Sequence, residues 1–119
     1  MGKLITLKND IKLDGNIIRN YSKSINHNTT NVLGFGYTNC YVYGKLCIVS
    51  FNVQLANNLS GGSELLTNLP KTKQNRVMFA GAFNHGGAAR FYIENTTIYN
   101  DGAISTGGWI DGNLVYMID

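Results

Sequence analysis

Residues 37–55 read YTNCYVYGKLCIVSFNVQL, and their alternation decides the fold. Two runs of alternating residues flank Gly44-Lys45. Glycine at the first of two central turn positions suits a type II′ hairpin, whose twist matches that of the strands it joins. Such a turn sets Val42 opposite Cys47 and Cys40 opposite Val49. Successive side chains on a strand point to opposite faces. Cys40, Val42, Cys47, Val49, Phe51, Val53 and Leu55 therefore share one face, which is assigned to the core. Tyr41, Tyr43, Ile48, Ser50, Asn52 and Gln54 share the other. Close to the turn this second face is apolar as well, so Tyr41, Tyr43 and Ile48 need a cover that the first core does not supply.

The same period of two runs outward in both directions. In the N-terminal stretch Ile5, Leu7, Ile11, Leu13 and Ile17 fall on odd positions, and Thr6, Lys8, Asp10, Lys12, Asp14 and Asn16 on even ones. That pattern predicts one apolar face and one wet face, with turn-prone pairs at Asn9-Asp10 and Asp14-Gly15. Downstream, strands are expected over residues 76–83, 89–94, 96–100 and 103–106. A last hairpin is expected at Asp111-Gly112, leading into residues 114–118. Residues 63–68 could form a single helical turn capped by Ser63. No ten-residue window carries the spacing of a longer buried helix. Pro70, which cannot donate to a ladder, belongs at a strand edge or corner. Short strands closed by Gly-rich turns predict an all-β fold, an antiparallel β-sandwich. The polar residues 20–31 suggest a division into an N-terminal amphipathic β segment, 1–30, and a head domain, 31–119.

Composition narrows the function. The chain has 119 residues, enough for one domain. Only 14% of residues are charged, against about 25% in an ordinary soluble domain. A net charge of +3, carried by scattered Lys and Arg, does not mark a nucleic-acid binder. No apolar run approaches the roughly 18 residues of a membrane span, so no membrane insertion is expected. The opening residues lack the apolar block of a signal peptide. A free monomer normally keeps a more charged surface than this. The expectation is therefore a homo-oligomer, with Ile5, Leu7, Ile11, Leu13, Ile17, Tyr41, Tyr43 and Ile48 at its interface. For the N-terminal stripe two roles stand open: copies of it can meet and bury one another, or the stripe can add a strand to its own sheet.

Little in the sequence points to catalysis. Glycoside hydrolysis needs two carboxylates facing each other across a sugar. Glu94, Asp101 and Asp111 are the candidates, yet the last two precede glycines, where Asp shapes turns. His27 and His85 have no Ser or Cys partner at a recognisable spacing. The Gly-Gly pairs at 61, 86 and 107 do not lead from a strand into a helix, so no phosphate-cradling loop is expected. Cys40 and Cys47 lie on diagonal positions, about 7–8 Å apart at Cα, which is long for a disulfide. They read as two buried free thiols, and without a nearby histidine they make no zinc site. No catalytic residue, cofactor or metal is expected.

From Gly36 onward the order of features is a tyrosine-bearing strand, the Gly44-Lys45 turn and a long alternating strand through Phe51. A Gly-rich loop and Leu69-Pro70 follow, then Phe91-Tyr92-Ile93, Gly102-Ala103-Ile104, and a closing Trp109-Ile110 with Tyr116. This order resembles the C-terminal head domain of bacteriophage tail fibres and baseplate receptor-binding proteins, especially those of phages and prophages of Gram-positive hosts. The resemblance covers about two thirds of the chain and contains no invariant motif. It implies a jelly-roll-like sandwich, a homotrimer and recognition of a bacterial cell-surface saccharide. It also implies other tail or baseplate proteins as partners, and a place at the phage tail tip after synthesis in the bacterial cytoplasm. The chain departs from the family in showing no long shaft or collagen-like repeat upstream.

Sugar rings present apolar C–H faces and hydroxyl edges, which aromatics and Asn, Asp, Arg or His respectively satisfy. Trp109, Tyr92, Arg90, His85, Asn84 and Asp111 offer that mixture. Each also has a plainer role: core or interface packing for Trp109, strand packing for Tyr92, turn geometry for Asn84, His85 and Asp111. Arg90 could pair with Glu94 on the same strand face. The alternatives to a saccharide-binding head are a structural tail or baseplate protein without a sugar site and a small glycan-degrading domain.

Overall fold

A computed structural model describes residues 4–7, 10–13 and 16–119, with side chains from Ile17 onward. The described residues form eleven strands and one short 3₁₀ turn, Ser22–Ser24. The strands are β1 (Leu4–Leu7), β2 (Asp10–Leu13), β3 (Asn16–Asn20), β4 (Asn26–His27), β5 (Val32–Tyr43) and β6 (Leu46–Leu55). They continue with β7 (Glu64–Thr67), β8 (Arg76–Phe83), β9 (Ala88–Glu94), β10 (Thr97–Asn100) and β11 (Gly108–Met117). All belong to one sheet in the order β1-β2-β3-β5-β6-β11-β8-β9-β10-β7-β4. The named strand pairs are all antiparallel. The all-β, antiparallel expectation holds, and the sheet curls on itself as a half-barrel. Strand β5 contributes to the bend, because register shifts interrupt its ladder between Val32 and Gly34 and between Phe35 and Tyr37. Extra residues of this kind bend a strand and sharpen its twist.

The β5–β6 hairpin matches its sequence reading residue for residue. Val42 pairs with Cys47 and Cys40 with Val49. Gly44 has φ +60°, which its missing Cβ allows without strain. All seven residues assigned to the inner face are buried, and they lie in one core with Phe91, Ile93, Ile98, Ile110, Leu114 and Tyr116. Phe91 is at the centre of an aromatic cluster. Its ring stacks on Phe79 at 5.5 Å and meets Phe51 edge to face at 6.4 Å. Ile25, from the polar stretch before β4, also reaches this core.

Three expectations are corrected by packing. No hairpin forms at Asp111-Gly112, because β11 runs unbroken from Gly108 to Met117. Gly112 stands directly opposite Phe51, and a Cβ there would overlap the Phe51 ring. This glycine makes room for an aromatic and does not make a turn. Residues 63–68 form strand β7 instead of a helical turn, and Asn68 ends the segment at φ 64°. Residues 103–106 hold only a single bridge, Ile104 to Leu59.

The N-terminal stripe also differs from its reading. Strand β1 ends at Leu7 and β2 begins at Asp10, so the chain folds back where a turn was expected. The register sets Ile5 level with Lys12, Ile11 with Ile18, and Lys12 with Ile17. Odd positions of one strand therefore stand opposite even positions of the next, and the five apolar positions do not form one row. Of the two roles, the backbone shows sheet extension: β3 pairs with β5 through Ile18–Tyr43, Arg19–Val42 and Asn20–Tyr41. The side chains of Ile5, Leu7, Ile11 and Leu13 lie outside the described residues, while Ile17 is exposed.

The outer face near the hairpin turn is uncovered. Across the strands, its rows run Ile18, Tyr43, Leu46, Met117 and Asn20, Tyr41, Ile48, Val115. Tyr43 is 49% exposed, Ile48 44%, Val115 55% and Met117 40%. These residues form one contiguous apolar patch, because directly opposed residues on adjacent strands touch.

One half-buried histidine links the fold to pH. His27 stacks on Phe35 at 4.2 Å, and its Nε2 lies 2.9 Å from Thr38 Oγ1. Burial lowers its pKa from the ordinary value. The fold therefore favours the neutral ring. Its contribution is complete above the unfolded-state pKa, about 6.5, and is lost as the pH falls through the lower folded value. We expect urea-denaturation stability to drop between pH 7.5 and 5 more in the wild type than in His27→Gln. An equal drop in both would remove this role.

Candidate saccharide-binding surface

At the end of the sheet away from the Gly44-Lys45 turn, three segments converge: the β8–β9 turn, residues 101–106 and the start of β11. Between the first two lies a cleft of about 420 Å³. Phe83, Ala89 and Ile104 give it apolar lining, and His85, Arg90, Asp101 and Ser105 give it polar groups. Arg90 reaches Asp101 at 3.3 Å, and the Asp101 backbone N–H donates to the Arg90 carbonyl at 2.8 Å. Glu94, the expected partner of Arg90, instead meets Arg76 at 3.1 Å. The reason is register: Arg76 stands directly opposite Glu94 across the β8–β9 ladder.

His85 lies between the cleft and β11. Its ring stacks on Phe83 at 4.7 Å and 16°. Its Nε2 lies 3.2 Å from the Gly107 carbonyl, which can only accept, so Nε2 carries the proton. In the neutral ring, Nδ1 is then left as an acceptor. Gly108 lets the ring come this close, since a Cβ there would sit 3.2 Å from His85 Cδ2. Asn84 is exposed beside it, and its backbone N–H donates to the Trp109 carbonyl at 3.0 Å.

Trp109 and Asp111 stand on the outer face of β11, next to this cleft. Trp109 pairs with Gln54, which pairs with Gly34. The Trp109 ring lies across Gly34, where a Cβ would be only 3.0 Å from Trp109 Cη2. A glycine two strands away thus makes room for the indole, which is half-buried against the sheet. In the next row Tyr37, 47% exposed, faces Asn52, and Asn52 faces Asp111. Asn52 Nδ2 donates to Asp111 Oδ1 at 2.8 Å, which orients the carboxylate and leaves Oδ2 for a hydroxyl.

Of the six residues expected to contact a sugar, the structure brings five to this end of the sheet: Asn84, His85, Arg90, Trp109 and Asp111. Tyr92 is not with them. It is buried on the outer face of β9, stacked on Tyr99 at 5.1 Å, with the Arg76 guanidinium 4.1 Å above its ring. Its role is packing. The sequence reading missed Tyr37, Asn52, Gln54 and Asp101 as neighbours of the site. Asn52 and Gln54 were legible as outer-face residues, but only the β6–β11 register sets them beside Asp111 and Trp109.

The arrangement offers a half-buried aromatic plate, a cleft with apolar lining, and directed donors and acceptors around both. Among the described residues no group of three or more His, Cys, Asp or Glu could hold a metal ion. None of the helices among them is long and apolar enough to cross a membrane. No protein-family profile matches the chain, and no curated protein matches it in sequence.

Proposed function

We propose that this chain is a phage-type receptor-binding head that assembles as a homotrimer and recognises a bacterial cell-surface saccharide. The observation that carries this reading is the half-buried Trp109 seated over Gly34 on the outer face, in the row beside the oriented Asn52–Asp111 pair, at the same end of the sheet as the cleft lined by His85, Arg90 and Asp101. A pyranose can lay its C–H face on the indole while its hydroxyls meet Asp111 and Asn52. A second residue of the glycan then extends toward Arg90 and His85. Weak sites suffice, because several sites on one assembly raise the avidity by orders of magnitude. The three carboxylates considered for hydrolysis each engage a neighbour: Glu94 with Arg76, Asp101 with Arg90, Asp111 with Asn52. That supports binding over chemistry. The uncovered patch of Tyr43, Ile48, Val115 and Met117 supports assembly.

The test is binding to purified host cell walls and to an array of bacterial glycans. Wild type is expected to bind. Trp109→Ala and Asp111→Ala are each expected to weaken the single site about five- to thirtyfold, since lost stacking or a lost directed hydrogen bond is worth about 1–2 kcal/mol. Tyr92→Phe, remote from the site, is expected to bind normally. Retention of full affinity in both alanine variants would place the site elsewhere. Binding to no glycan or wall would favour a structural tail component, and release of reducing sugar would favour a glycan-degrading domain.

A further inference from the structure

We propose that Cys40 and Cys47 are a latent disulfide, a redox-sensitive staple across the β5–β6 hairpin. This inference does not depend on the saccharide reading.

The two sulfurs lie 3.7 Å apart, and both residues are fully buried. They sit on facing strands and on the same face, each one pair away from direct opposition: Cys40 faces Val49 and Cys47 faces Val42. A disulfide bond is about 2.05 Å long, so the sulfurs must close by roughly 1.7 Å. The diagonal spacing expected from an ideal ladder would hold the thiols out of reach. In the curled hairpin they are instead in contact. Unlike most buried thiols, then, each has the other as its nearest reactive partner.

A cleft of about 540 Å³ opens beside the hairpin turn, lined in part by Tyr21, Val42 and Ile118. Val42 is the residue directly opposite Cys47. The hydrogen bond between the thiols and their burial push Cys40 up from its ordinary pKa, and the same bond brings Cys47 down. Cys47 is therefore the sulfur that ionises first and attacks first.

The oxidant is a low-molecular-weight disulfide. The Cys47 thiolate attacks one of its sulfurs, forming a mixed disulfide and expelling one thiolate, which takes up the proton that Cys47 lost. Cys40 then gives up its proton and attacks the Cys47 sulfur. The Cys40–Cys47 bond forms, and the second small thiol leaves with that proton. Two cysteine thiols are oxidised and one disulfide is reduced to two thiols. In a reducing cytoplasm the pair stays open; in an oxidising exterior it closes.

The test uses the folded wild-type chain and 2-hydroxyethyl disulfide as the oxidant. The expected product is a single chain lighter by two hydrogens, with no free thiol on alkylation after denaturation. It should unfold at a higher temperature than the reduced form, and dithiothreitol should reverse both changes. Cys40→Ser should stop at the mixed disulfide of Cys47, or fail to react. Two alkylatable thiols after prolonged incubation would overturn the proposal, as would products linked only between chains. So would an oxidised form that unfolds at a lower temperature than the reduced one.

Discussion

Either Ile48→Glu or Val115→Glu is expected to convert the proposed trimer to monomers. The two residues face each other across the β6–β11 ladder, and both are largely exposed in the single chain. A glutamate at either position stays in water in the monomer, so the fold is expected to change by no more than about 0.5 kcal/mol. In an interface formed over this patch, the same carboxylate would be buried without a partner. That costs several kcal/mol per copy, or at least a hundredfold in the dissociation constant at each contact. Light scattering at micromolar concentration reads the result directly. Wild type is expected at three times the chain mass and each variant at one. A wild-type monomer would remove the assembly from the proposed function. A trimer that survives both substitutions would move the interface off this patch. The proposed saccharide site lies at the other end of the sheet, so single-site affinity should persist in the monomeric variants while avidity for cell walls falls.

The largest effect on folding is expected from Phe91→Ala, a loss of about 3–5 kcal/mol. Phe91 is fully buried between Phe79 and Phe51. Its surroundings are built to its size. Gly81 leaves room beside it, since a Cβ there would come 3.0 Å from Phe91 Cε2 and 2.7 Å from the Asp111 carbonyl. Gly112 leaves similar room for Phe51. A cavity at the centre of this cluster cannot collapse cheaply, because sheet backbone surrounds it on several sides. Such a loss is a large part of the roughly 5–15 kcal/mol that holds a domain of this kind together. Urea denaturation followed by tyrosine and tryptophan fluorescence measures it. A loss under 1 kcal/mol would mean that the cluster is not the centre of the core. Gly112→Ala should destabilise too, by about 1–3 kcal/mol through overpacking. That gain of one methyl would be tolerated if Asp111-Gly112 were a turn.

Local chemistry made much of this legible. Around Gly44 the chain has one cheap way to turn, and the alternation on either side then dictates which residues face inward. The β5–β6 hairpin, its register and its core face follow from those two facts. Glycine before a polar residue was less readable, because the same residue serves two purposes. Gly44 supplies a positive φ, whereas Gly112 supplies empty space for a ring contributed from 61 residues earlier in the chain. Sequence spacing does not distinguish them. The N-terminal stripe is not one row for a related reason. Its two strand pairings set odd positions opposite even ones, so a periodic run in sequence is not a continuous row in the sheet.

The sequence by itself determined an antiparallel all-β chain, the hairpin at its centre, and an outer face that is apolar near the hairpin turn. These are short-range consequences of side-chain alternation, turn stereochemistry and scarce charge. Only the tertiary structure decided that one sheet curls into a half-barrel, that Arg90 meets Asp101, that Tyr92 is sealed under Arg76, and that Trp109 lies over Gly34. Those outcomes depend on which strand lies beside which and in what register. That choice is made by the summed packing of residues far apart in the chain, and no local pattern encodes it.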